Sequence, residues 1–153
     1  MGENQREIQR QYRTQQEKYV YYIVALSVSA IGFSLYKTSG QPLKWSQISL
    51  GLAIISWGLS IFCGLTFIKE IIGTLSVNNA YLDIQAGRHP DIGDNPIKVA
   101  AGVDSIKRII EKKSKGAGKF YRWQGRLFYL GILLFIVWHV SEMYILTTVT
   151  PCK

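Results

Sequence analysis

The sequence predicts an all-α integral membrane protein with three transmembrane helices joined by short amphipathic cytoplasmic helices. Three observations lead there. Nearly half of the 153 residues are apolar (48%) and only 18% are charged. The apolar residues gather into three long runs rather than spreading along the chain. None of these runs carries the polar face that a helix at the surface of a soluble core keeps. A disordered chain, a collagen and a disulfide scaffold are excluded by the same composition. Cys63 and Cys152 stand too far apart in kind and place to make a framework and read as free thiols.

Residues 1–18 form a polar N-terminal segment, ENQREIQRQYRTQQEK after the first two residues, with Ile8 and Tyr12 as its apolar groups. Its residue types favour helix, and its mixed charges suit a solvated stalk. Residues 19–36 are 18 positions without a charge, roughly 27 Å of helix against a hydrocarbon layer of about 30 Å. The long polar lead and the length of the run favour an uncleaved anchor over a secretory signal peptide. Tyr19, Tyr21, Tyr22 and Tyr36 place amphipathic rings at both ends of the span.

Residues 37–46 make a short external loop, and residues 47–72 the second span, of which Gln47 to Ile68 are free of charge. Lys69 and Glu70 follow, and the helix is expected to run on to about Ala86, with Gly87 as a C-cap and a His89-Pro90 turn. Asn95 and Pro96 have the form of an N-cap and first helical residue. The segment 73–122 therefore reads as a basic cytoplasmic region holding two short helices, with 115–119 (KGAGK) as a flexible hinge. That glycine pattern lacks the spacing and the Ser or Thr of a phosphate-binding loop. Residues 123–149 form the third span and 150–153 an external tail.

The net charge of +8 comes from 18 bases and 10 acids, and its placement sets the orientation. Four bases precede the first span, two lie in the 37–46 loop, ten lie between Gly73 and Arg126, and one follows the third span. Bases mark the cytoplasmic side, so the N-terminus is expected inside and the C-terminus outside. Absence of an Asn-x-Ser/Thr acceptor fits a bacterial inner membrane. Without a recognition motif the charge does not indicate nucleic acid. It suits the anionic inner leaflet or a protein partner on the cytoplasmic side, with Lys98, Lys107, Arg108, Lys112 and Lys113 as contacts.

Two features inside the spans invite a function. His139 and Glu142 lie three apart on the third span and share a face, either as a polar path or, for Glu142, as an interfacial group if the span ends near Val140 and turns out at Met143. Small residues recur at Ser56, Ser60 and Gly64, at Gly51 and Gly58, and at Ala25, Ser29 and Gly32. Such spacing lets membrane helices approach closely, within one chain or between copies. No metal, cofactor or catalytic motif appears: Asp83, Asp91, Asp94 and Asp104 do not match a calcium loop, and His89 lacks companion ligands. The expected function is non-enzymatic, self-association or scaffolding through the basic segment. The alternative is an oligomeric channel, pore or membrane-perturbing effector with His139 and Glu142 along its path.

Overall fold

A computed structural model describes residues 3–40, 44–86, 88 and 96–149. Over these residues the chain is all-helical, with α1 Glu3–Thr38, α2 Gln47–Gln85 and α3 Pro96–Val149. Each contains a stretch long and apolar enough to cross a membrane. The polar lead 3–18 and the first apolar run are one continuous helix, supported in its solvated part by a Gln11–Glu7 hydrogen bond of 3.2 Å one turn apart. The helix stops at Thr38, whose hydroxyl donates to the Ser34 carbonyl at 2.9 Å. Gly40 then takes φ 75°, a left-handed conformation that glycine enters without strain. Two tight backbone bonds, Gln47 N–H to Lys44 O (3.0 Å) and Ile48 N–H to Trp45 O (3.2 Å), open α2.

The short amphipathic helices expected between spans two and three are not seen as separate elements. The part of 73–122 that follows the second span is the continuation of α2 to Gln85, as anticipated. The later part is the first half of a 54-residue α3 that runs without interruption into the third apolar run. Residues 115–119 are helical, not a hinge. Two glycines cost a helix roughly 1 kcal/mol each, but extending an existing helix is cheap compared with nucleating a new one. Tertiary contacts on both sides of the glycines also hold the segment: Lys113 bonds Glu70, Ala117 is buried, and Tyr121 stacks on Phe67 at 5.5 Å. Likewise α3 does not turn out at Met143 but stays helical through Val149. Gly87, His89, Pro90, Asp91, Asp94, Asn95 and Cys152, which carry the expected cap, turn and thiol, lie outside the described residues.

Contacts divide the chain into two compact units, Met1–Gly64 with Arg122–Lys153, and Leu65–Tyr121. In the first unit α3 runs antiparallel to α2, as the pairs Ser46–Glu142 and Ser60–Gln124 require, and parallel to α1, as Val20–Gln124 and Phe33–Phe135 require. The buried residues of α1, Val20, Ile23, Ser27 and Ser34, follow steps of three, four and seven, so one stripe faces inward. On α2 the buried residues include Leu50, Ala53, Ser56, Trp57 and Ser60. An aromatic chain of Trp57, Phe135 and Trp138, with centroids 5.4–5.8 Å apart, fills the space towards the end of the unit that holds Glu142. The Trp57 indole lies over Gly131, where a Cβ would meet it at 2.5 Å. The second unit is an antiparallel pair of helical segments joined by the Phe67–Tyr121 contact and the Lys113–Glu70 ion pair of 3.2 Å.

Added Cβ atoms at Gly116 and Gly118 meet nothing within 4 Å. Replacing both by alanine is therefore expected to stabilise α3 by about 1–2 kcal/mol, read as a rise in melting temperature by circular dichroism in mild detergent. A flat or lower melting temperature would mean that these positions do not stay helical.

Candidate functional site

The most closely engineered contact in the first unit is built on Gln124. Its side chain is fully buried. The Gln124 amide Nε2 donates to the Val20 carbonyl of α1 at 3.3 Å, while its own backbone carbonyl accepts the Ser60 hydroxyl of α2 at 2.9 Å. One turn further along, Ser56 donates to the Leu127 carbonyl at 2.8 Å. A Cβ on Gly64 would overlap the Gln124 amide and meet the Val24 side chain at 3.1 Å. Glycine at 64 is thus the condition for the amide to enter. Small residues at 56, 60 and 64 let the α2 and α3 backbones approach closely enough for serine hydroxyls to reach carbonyls across the interface.

The three small-residue sets behave differently. Ser56, Ser60 and Gly64 are consumed in this α2–α3 contact. Gly51 and Gly58 of α2 are exposed and open, with no atom within 4 Å of an added Cβ. On α1, Ala25, Ser29 and Gly32 also face outward, and the Ser29 hydroxyl donates to the Ala25 carbonyl of its own helix at 2.9 Å. Next to them, Leu26, Ala30, Phe33, Trp57, Ile132 and Phe135 frame an apolar groove of about 430 Å³.

His139 and Glu142 are not joined. Glu142 is half-buried, and its Oε1 accepts the Ser46 hydroxyl at 2.6 Å, immediately before α2 begins. His139 is exposed one turn earlier. The carboxylate is therefore level with the short connection between α1 and α2, where a span would meet the headgroups. The hydroxyl gives the half-buried carboxyl group a hydrogen-bond partner and so offsets part of the cost of taking it out of water. Nor do the five basic residues Lys98, Lys107, Arg108, Lys112 and Lys113 share a single face. Lys113 pairs with Glu70, Arg108 pairs with Asp104 at 2.8 Å, and Lys98, Lys107 and Lys112 are exposed.

Sequence reasoning missed Gln124 and the Gly131–Trp57 seat. The signal for the first lay in its position: an uncharged amide among Arg122, Trp123 and Arg126 looks solvated until the helix phase turns it opposite Gly64. Among the described residues no three His, Cys, Asp or Glu side chains group to hold a metal ion. The chain matches no protein-family model, no curated protein and no solved structure.

Gly64→Ala is expected to destabilise the first unit by about 1–3 kcal/mol through overpacking against Gln124. Adding Gln124→Ala should recover part of that loss, because the two changes share one space. Denaturant titration in detergent of both single variants and the double measures the coupling, and strict additivity would count against the contact.

Proposed function

We propose that the chain is a small non-enzymatic integral membrane protein that self-associates within the bilayer and presents residues 73–122 as a basic platform on the cytoplasmic side. The N-terminus lies inside and the C-terminus outside, in a bacterial inner membrane. Three helices of sufficient length and apolarity support the membrane part of this reading. The asymmetry of the bases supports the orientation.

The observation that carries self-association is the contrast between used and unused small residues. Gly51 and Gly58 open outward among Leu52, Ile55 and Leu59, all about half exposed or more. Lipid tails are as apolar as leucine, so covering such a face with lipid or protein differs little in hydrophobic terms. Close backbone approach at small residues, and the dispersion contacts it allows, is what makes a helix the better neighbour. A second copy supplies it. The pore alternative gains less support, since Glu142 already spends its carboxylate on Ser46 within one chain.

Counting subunits of the full-length protein in nanodiscs by native mass spectrometry tests the reading. Oligomers are expected for the natural sequence, with a shift to monomer in Gly51→Leu/Gly58→Leu. A monomeric natural protein would overturn it. Glu142→Gln should leave the ion permeability of reconstituted vesicles unchanged, whereas a path lined by this residue would alter it.

A further inference from the structure

In the second unit the two faces of α3 have opposite character. Towards α2 stand Ile106, Ile110, Lys113, Ala117 and Tyr121, half-buried or buried, with Lys113 on Glu70 and Tyr121 on Phe67. The reverse face carries Arg108, Lys112, Lys115 and Lys119, all exposed. Their steps of four, three and four follow the helical repeat. The eleven residue steps from Arg108 to Lys119 make close to three full turns and about 17 Å of rise. This alignment exists only because 115–119 is helical; a hinge there would have scattered Lys115 and Lys119. It also excludes Lys98, Lys107 and Lys113, which point elsewhere. Residues 105–121 hold six bases and one acid, Glu111, which flanks the row, and Asp104 pairs with Arg108 at its far end.

The level of this row relative to the end of the apolar run of α2, which lies in the same unit, is given by the ion pair. Lys69 and Glu70 are the first charges after the run Gln47 to Ile68. Because Glu70 bonds Lys113, the apolar-to-polar boundary on α2 is level with Lys113 on α3. Within this unit the row extends about 8 Å to one side of that level and about 9 Å to the other. A headgroup layer is about 5–8 Å thick, and charges act over a screening length of about 8–10 Å beyond it. Lys119 is on the apolar side of the boundary, and a lysine stem is long enough to carry its charge back towards the polar side.

We propose that Arg108, Lys112, Lys115 and Lys119 form a binding surface for the headgroups of anionic phospholipids of the bilayer in which the protein sits. The proposal rests on the membrane reading above and names the residues that engage the lipid. Charge complementarity and the level of the row at the boundary favour a lipid over a soluble acidic partner. Such a partner would not require the row to straddle that boundary.

The test uses the full-length protein in vesicles of mixed phosphatidylglycerol and phosphatidylcholine. Spin-labelled analogues of the two lipids report how strongly each is retained at the protein. The natural sequence is expected to prefer phosphatidylglycerol about fivefold or more, and to lose most of that preference at molar salt. R108Q/K112Q/K115Q/K119Q should lose most of it at low salt, while K98Q/K107Q keeps it. An unchanged preference in the fourfold variant overturns the proposal. So does a preference insensitive to salt in the natural sequence, a result that needs no variant to fold. Flotation of the same vesicles separates the two readings. A natural protein that floats but shows no preference sinks the lipid surface alone, and one that fails to float sinks the membrane reading and this surface with it.

Discussion

The separation of α2 and α3 in the first unit is set by the absence of a side chain at residue 64. With no Cβ there, the Gln124 amide fits between three helices, and the backbones come close enough for Ser56 and Ser60 to bond carbonyls across the gap. Other contacts in the unit follow the same separation. Trp57 lies over Gly131, and Ser46 meets Glu142 at the far end. For helices packed in lipid such a constraint matters more than it would in water, because burial of leucine and isoleucine does not discriminate one packing from another there. What discriminates is fit and the few polar groups that find partners.

The hydroxyls of the spans illustrate the point. Those of Ser29, Ser34, Thr38 and Ser141 donate to carbonyls three or four residues earlier on their own helices. They satisfy themselves and say nothing about a neighbour. Ser56 and Ser60 look the same in the sequence but cross to α3. The distinction is one of helix phase, not of residue type.

Much of this was legible without coordinates. Apolar runs with no charge announce helices that fit a bilayer, and the four-residue repeat Ser56, Ser60, Gly64 announces a packing face. The same rule applied to Gly51 and Gly58 does not predict which face is used inside the chain, because small residues permit approach without compelling it. The glycines of 115–119 were misread since a local preference for a break is weaker than the contacts of Lys113, Ala117 and Tyr121 around it. Gln124 was unreadable for a different reason. Its role depends on a glycine sixty positions earlier in the chain, and no local pattern encodes a pairing at that distance.

The spacing of these partners along the chain has a bearing on biogenesis. Ser60 precedes Gln124 by 64 residues, and Ser46 precedes Glu142 by 96. At roughly 5–20 residues per second a ribosome takes seconds to deliver the later member of each pair. Through that interval Ser46, Ser56, Ser60 and Val20 are without their α3 partners, so the nascent chain reaches its final arrangement only when its last helix arrives.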